Sequence, residues 1–406
     1  MSAPIDFAQS PAFDLADPDF HTYGDVDQVF RDLRRTEPVY WQREKDGPGF
    51  WSITKYDDIV AVSKNPKIFS SDLERGGFHI EDSRTFAVNT GTNMITSDPP
   101  QHSAYRKAVA PAFAPTRVRE LAATIQNSVA EVMQALASRS TFDFVDLVSA
   151  PVAIDVLARL LGASRNKQDL IRWSDELVGY DDPTVRSSEA EITESLRRMS
   201  MFALGLRLKY SKAPEDTMIS MLVNSKTDAG KPMNVSDFIA TFILLIVAGN
   251  ETSRNAISGG MLALFENAPQ KRLLSEHPEL ANAAANEIVR WVTPVIYMRR
   301  TATEDVTLRN TRIKAGDKVV LWYTSGNRDE DTFERPYEFD ITRQKAAHLG
   351  FGSGTHYCVG SRVARMQIGI LFTSLLQRYP NIQLAGDVEK LRSNFINGVK
   401  RMPVSV

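Results

Sequence analysis

The sequence predicts a mainly α-helical fold with a small β region. Helical spacing of apolar residues recurs over 115–137, 151–162, 188–210, 236–268, 278–291 and 359–379. Strand-like runs are short and confined to the neighbourhoods of 38–54 and 306–323. The segment from Ser236 to Asn267, as one helix at 1.5 Å per residue, would measure roughly 48 Å, enough to cross a whole domain. One long central helix therefore organises the expected core.

Pro38–Trp41 and Gly49–Thr54 flank the turn Lys45-Asp-Gly-Pro and read as a hairpin. Ser97-Asp-Pro-Pro-Gln-His102 opens a helix, with Ser97 as the capping side chain and the prolines in the first turn. His102 and Arg106 then lie one turn apart on one face, where two donors can grip a carboxylate; an exposed helix face is the plainer alternative. Asp181–Glu191 and Asn224–Met233 read as exposed connections. Val306–Ile313 and Lys318–Tyr323 form a second strand group, with Ala315-Gly316-Asp317 as the turn. No internal repeat, low-complexity tract or long linker interrupts the chain.

A net charge of −2 gives no reason to expect nucleic acid or an anionic membrane as partner. The single cysteine excludes an intrachain disulfide and fits a reducing compartment. The start, Met1-Ser-Ala-Pro-Ile-Asp, lacks the charged and apolar regions of a signal peptide. The most apolar run, Phe238–Ala248, falls short of the roughly twenty residues that span a bilayer, so it reads as a buried helix. A cytoplasmic protein without a membrane anchor is expected.

The one cysteine, Cys358, stands in Phe351-Gly-Ser-Gly-Thr-His-Tyr-Cys-Val-Gly360, just before the helix that Val363, Met366, Ile370 and Leu371 outline. Unpaired N–H groups and the helix dipole at that place favour a thiolate. Glycines 352, 354 and 360 permit conformations closed to other residues and let a flat ligand approach the chain. A lone cysteine by itself is more often a small buried hydrophobe. The surrounding positions change that weighting, because Phe351, Gly354, His356, Cys358 and Gly360 occupy every fixed position of a known pattern. The segment resembles the haem-binding loop of the cytochrome P450 family.

Two further motifs stand at the places the resemblance requires. Ala248-Gly249-Asn250-Glu251-Thr252 lies in the middle of the long helix; Thr252 can bond back to the Ala248 carbonyl, and burial can raise the pKa of Glu251 so that it carries protons. This is similar to the family's oxygen-activation motif, with Glu where Asp is more common. Glu287-Ile-Val-Arg290 pairs an acid and an arginine on one helical face and resembles the family's structural Glu-x-x-Arg. Glu338 stands where many members carry an arginine before Phe339, leaving Arg343 or Arg335 to complete the triad.

The resemblance covers nearly the whole chain and implies one domain, 1–406, with the cytochrome P450 fold: a long central helix over a cysteine-ligated haem. It implies haem b with Cys358 as axial thiolate and metal ligand, and Ala248, Phe351, Gly352 and Gly360 as cofactor contacts. His102, Arg106, Arg300 and His356 are expected at the propionates, and Glu251 and Thr252 as the catalytic acid and alcohol. The implied reaction inserts one atom of O2 into a C–H bond. Electrons would come from a separate ferredoxin and its reductase, docking on a basic patch of Arg106, Lys107, Arg117, Arg343, Lys345, Arg362 and Arg365. By position in the family, the pocket takes in Phe78, Phe86, Val88, Met94, Ile243, Leu244, Val247, Val295, Ile296, Met298 and Phe395, an apolar set suited to a lipophilic molecule. Alkyl chains, sterol side chains, methyl-branched lipids and terpenoids are the expected substrate classes. Rival readings are a peroxide-driven haem-thiolate enzyme, a non-catalytic haem-binding sensor, and a protein without haem.

Overall fold

A computed structural model describes residues 13–82, 91–185, 188–225, 232–344 and 347–406. In chain order its main elements are α1 (Pro18–Tyr23), α2 (Val26–Thr36), β1 (Val39–Gln42), β2 (Phe50–Ile53), α3 (Tyr56–Ser63) and β3 (Phe69–Ser70). There follow α4 (Gln101–Val109), α5 (Pro115–Leu136), β4 (Thr141–Asp143), α6 (Ala150–Leu161), α7 (Lys167–Val178), α8 (Glu189–Lys212) and α9 (Met218–Asn224). The second half holds α10 (Val235–Glu266), α11 (Ala268–Glu276), α12 (Ala281–Val292), β5 (Tyr297–Ala302), β6 (Val306–Leu308), β7 (Thr311–Ile313) and β8 (Lys318–Trp322). It ends with α13 (Tyr323–Gly326), α14 (Ser361–Arg378), β9 (Gln383–Leu384), β10 (Glu389–Lys390), β11 (Val399–Arg401) and β12 (Pro403–Ser405).

The expected helix-rich fold with little sheet is what forms. α10 starts where Asn234 caps the Asp237 N–H, and Asp237 places its charge in the first turn. It runs through the core against α6, α7, α8 and α12, while α14 packs on α12 and α5. By length and composition α10 could cross a membrane. Its Phe238, Phe242, Ile246, Ile257 and Leu264 are instead buried against neighbouring helices, as the sequence reading expects. One hydrophobic cluster joins α5, α12, α14 and the C-terminal half of α10, and a second joins its N-terminal half to α6, α8 and α9.

The main sheet runs β1-β2-β8-β5-β3. β1 and β2 form the expected hairpin, Val39 opposite Ile53. The second strand group differs from expectation. Val306–Ile313 folds on itself as the hairpin β6-β7, with Arg309 at φ 54° in its turn. β8 pairs instead with β2 in parallel and with β5 antiparallel. Its five residues are all buried, so it needs a partner on each edge, and a single hairpin could supply only one.

The start of α4 also differs. Ser97 is not its cap: the helix begins at Gln101 behind Pro100 with no side-chain cap, and the Ser97 hydroxyl donates to the Asn93 carbonyl at 2.7 Å. The helices α1, α2, α3, α7, α9 and α11 lie outside the periodic segments named from sequence; most span only a few turns, and α7 carries charges around much of its circumference.

Candidate functional site

Between α10, α4, β5 and the loop before α14 lies a slot of about 260 Å3, lined by Met94, His102, Arg106, Ala248, Gly249, Thr252, Arg300, Phe351, Gly352, His356, Cys358 and Gly360 among others. Above it sits a second cavity of about 360 Å3. Ile95, Leu244, Ala248, Val295 and Met298 line both, so the two spaces share a wall at the middle of α10.

The loop that carries Cys358 is tightly built. Gly354 has φ +65°, and a Cβ there would stand 2.3 Å from the Ser63 carbonyl oxygen, so only glycine lets the loop close on α3. The Cys358 N–H donates to the Phe351 carbonyl at 2.9 Å, and the Phe351 ring is covered by the Arg365 guanidinium at 5.0 Å. Cys358 is exposed and lines the slot. Burial pushes its pKa up, against the N–H groups of Gly360 and Ser361 and the charges of Arg106 and Arg365, which pull it down. The sequence reading weighed the helix terminus and not the desolvation, and desolvation is the larger effect.

Donors outnumber acceptors along one edge of the slot. The His102 and His356 rings lie 4.4 Å apart, and His102 Nδ1 and His356 Nε2 are buried without a hydrogen-bond partner among the described residues. Arg300 is buried and spends one N–H on the Arg299 carbonyl at 2.7 Å. Burial lowers the pKa of both histidines, and Arg106 and Arg300 lower them further by repulsion. Orphaned polar atoms of this kind cost about 1–3 kcal/mol each when buried. The cluster suits an occupant that brings carboxylates, and the expected His102, Arg106, Arg300 and His356 all reach the slot.

In the same slot, the Thr252 hydroxyl donates to the Ala248 carbonyl at 2.6 Å, the back-bond expected from the spacing. Glu251 points the other way, to the upper cavity, and is 1% exposed. Arg254 donates to Glu251 Oε2 at 2.6 Å and to Asp175 Oδ1 at 2.6 Å, while Ser174 and Asn250 donate to Glu251 Oε1 at 3.3 and 3.2 Å. Burial and the nearby Asp175 carboxylate push the Glu251 pKa up to about 7, with Arg254 opposing. Asp175 has a side chain 37% exposed, so the pair connects the cavity to solvent. The reading from sequence missed this network. Arg254 was accessible to it, three residues on from Glu251 along one helix face, but Ser174 and Asp175 come from α7 and no spacing points to them.

The support beneath the loop is a buried triad. Arg290 grips Glu287 at 2.7 and 2.8 Å, and Arg343 Nε joins Glu287 Oε2 at 3.1 Å. Of the two substitutes expected, Arg343 takes the place; Arg335 pairs with the Glu338 carboxylate at 2.7 Å. The departure at Glu338 is absorbed by its backbone, whose carbonyl accepts from Arg343 at 2.9 Å. Arg290 also donates to the Asn327 carbonyl at 2.8 Å, and the Asn327 side chain accepts from Leu349 N at 2.6 Å, which leads into the cysteine loop.

Other expected residues fall differently. Ile243, Leu244, Val247, Val295, Met298, Phe78 and Phe395 line the upper cavity and Met94 the slot. Ile296 lines neither: it is 4% exposed and packs with Tyr297, Val320 and Trp322, because alternation along the chain turns it away from Val295. Phe86, Val88 and Lys345 lie outside the described residues. The basic patch shrinks, since Arg343 is spent on Glu287 and Arg117 is paired with Asp216. Arg362 and Arg365 stand in the first turns of α14, directly after the loop. Polar residues that sequence reasoning passed over, His79, Glu81 and Asp181, line the upper cavity.

Comparison with known proteins is consistent with this architecture. Residues 165–394 match the family model described as Cytochrome P450. The chain is 38% identical over 398 residues to the linalool 8-monooxygenase of Pseudomonas putida, covering 96% of this chain and 98% of that protein. It is 35% identical to a methyl-branched lipid omega-hydroxylase of Mycobacterium tuberculosis, covering 93% of this chain and 90% of that protein. Among solved structures, a Mycobacterium marinum cytochrome P450 in complex with pseudoionone superposes with a TM-score of 0.91 at 33% identity, covering 97% and 98% of the two chains.

Proposed function

The chain belongs to the cytochrome P450 family of oxidoreductases, and from that membership we propose that it inserts one oxygen atom of O2 into a C–H bond of a lipophilic terpenoid, branched lipid or sterol-like molecule. The observation that carries the proposal is the convergence, in one slot, of Cys358, the unpartnered ring nitrogens of His102 and His356, Arg300, and the Thr252 hydroxyl. The family implies haem with cysteine thiolate ligation. Haem b suits the slot: Cys358 would bind its iron, His102, Arg106, Arg300 and His356 would hold its two propionates, and Ala248, Phe351, Gly352 and Gly360 would line its pocket. When bound there, haem supplies dioxygen binding and activation, and a thiolate ligand pushes electron density onto iron and favours O–O cleavage.

The protein's own residues supply the protons. Asp175, at the surface end, passes a proton to Glu251, which lies inside; Arg254 holds both carboxylates in place. Thr252 presents its hydroxyl at the slot, anchored by the Ala248 carbonyl until a proton is handed on. Because the Glu251 pKa is raised to about 7, the carboxyl carries its proton below that pH and has lost it above. Turnover is therefore expected to fall as pH rises past about 7, and Glu251→Gln to lower kcat by about 10²–10⁴ and remove that alkaline limb. A limb unchanged in the variant would assign the titration elsewhere.

Thr252→Ala is expected to leave substrate binding intact while diverting reducing equivalents to hydrogen peroxide. The ratio of product formed to NAD(P)H consumed measures it, and full coupling in the variant would remove the hydroxyl from proton delivery. The intact acid and alcohol favour reductive oxygen activation over a peroxide-driven reaction. Electrons would come from a ferredoxin and its reductase at the face of Arg362 and Arg365, in the cytoplasm, and residues 1–406 would act as one domain.

The substrate classes rest on the largely apolar upper cavity and on relatives named for linalool and methyl-branched lipids. Optical titration of the ferric protein with linear alkanes, fatty acids, sterols and monoterpenes tests them. A saturable low-spin to high-spin shift with one class identifies it; a preparation without a haem band would overturn the proposal.

A further inference from the structure

The upper cavity holds one polar side chain whose surroundings are fixed but whose own hydrogen bonds are not. His79 lines the cavity at a place the slot does not reach. Its ring lies 4.3 Å from Phe78 and 4.3 Å from Phe395, centroid to centroid, so two aromatic rings set its orientation. The backbone on both sides is pinned. Arg299 N donates to the Phe78 carbonyl at 2.9 Å, and its guanidinium donates to the carbonyls of His79 and Ile80 at 3.3 and 3.2 Å. Tyr297 accepts from Ile80 N at 3.1 Å, and Lys318 donates to the Ile80 carbonyl at 2.9 Å. The imidazole itself has no hydrogen-bond partner among the described residues, although the segment bearing it is bolted to β5 and β8.

Burial and the Arg299 charge lower the His79 pKa to about 4, so at neutral pH the ring is uncharged, with one N–H donor and one acceptor nitrogen. Glu81, Asp82 and Asp181 also line the cavity; no lysine or arginine is among its described lining residues, and the nearby Arg299 guanidinium is paired with Asp82 at 2.6 Å. A carboxylate brought here would be desolvated near Glu81 and Asp181 with Arg299 already engaged by Asp82; a neutral oxygen would meet a fixed donor and acceptor.

We propose that His79 is a specificity-determining residue that hydrogen-bonds a hydroxyl or carbonyl oxygen at the end of the substrate remote from the slot, selecting lipophilic alcohols and ketones over carboxylates of the same skeleton. This rests on the monooxygenase reading above, and adds to it the polar group that the substrate must carry.

The test is a set of spectral titrations of the haem-loaded protein with matched series: citronellol, citronellic acid and 2,6-dimethyloct-2-ene; and 1-dodecanol, lauric acid and dodecane. In whichever skeleton binds best, the alcohol is expected to bind about tenfold more tightly than the hydrocarbon and the acid. His79→Leu should remove the alcohol's advantage while leaving hydrocarbon affinity within about twofold, and His79→Gln, which keeps a donor and an acceptor, should restore most of it. An acid bound as tightly as its alcohol would overturn the proposal, and so would His79→Leu weakening alcohol and hydrocarbon equally. Failure of the parent reading looks different: the reduced protein would then lack the thiolate band of its carbon monoxide complex, whatever the ligand.

Discussion

Cys358→Ser is expected to abolish monooxygenase turnover and the thiolate signature of the reduced carbon monoxide complex while leaving the fold in place. The substitution is close to isosteric. The Cys358 N–H bond to the Phe351 carbonyl is a backbone contact and survives it, as do the glycine conformations that shape the loop. What is lost is the sulfur. A thiol has an ordinary pKa near 8.5, and a cation beside it is enough to hold it as thiolate, whereas a serine hydroxyl stays protonated at any accessible pH. The neighbouring N–H groups and the charges of Arg106 and Arg365, which favour an anion at Sγ, would then face a neutral oxygen. Thermal unfolding of the cofactor-free protein should be nearly unchanged, which separates a missing ligand from a damaged loop. Persistence of the thiolate band in the variant would remove Cys358 from the centre of the mechanism.

Glu287→Ala carries the largest expected effect on stability. Glu287 and Arg290 have side chains 1% exposed, and Arg343 leans on the same carboxylate with its own side chain 9% exposed. Removing the acid leaves a buried guanidinium uncompensated and a second one short of its partner, a loss of about 3–5 kcal/mol. The Asp340 N–H, which donates to Glu287 Oε1 at 3.0 Å, loses its acceptor as well. Because Arg290 leads through Asn327 to Leu349, the variant should also retain haem poorly. Urea unfolding and the ratio of haem to protein absorbance measure the two effects. Glu287→Gln, which keeps the shape and loses the charge, should fall between the variant and the parent. A loss below about 1 kcal/mol for Glu287→Ala would reduce the triad to an ordinary ion pair.

The triad also shows where sequence reasoning stops. Glu287 and Arg290 are three residues apart on a helix, so their pairing follows from helical geometry alone. The choice of Arg343 over Arg335 does not, since both precede or follow Phe339 at short range and only the path of the chain from Pro336 to Arg343 decides which guanidinium turns inward. Ile296 was misplaced for a related reason. In an extended segment neighbouring residues face opposite sides, and nothing in Val295-Ile296 says which side holds the cavity. β8 was assigned the wrong partner because an apolar run does not name its neighbours; it lies between β2 and β5, one close in sequence and the other far from it.

Local rules were sufficient to place α5, α6, α8, α10, α12 and α14, the hairpin at β1-β2 and the glycine loop around Cys358, because periodicity, turn chemistry and motif spacing act over a few residues. The back-bond from Thr252 to Ala248 belongs to the same group, being a contact within one turn. The Cys358 thiol, by contrast, is governed by how much protein surrounds it, and so its pKa rises where the helix terminus alone would lower it. Family membership was legible in the sequence because the motifs stand at set distances along one chain. The His79 sandwich, the Asp175–Arg254–Glu251 bridge and the stacking of one cavity on another were decided only by the tertiary structure. Each depends on burial and on contacts between elements far apart in sequence, and desolvation has no signature in the order of the residues.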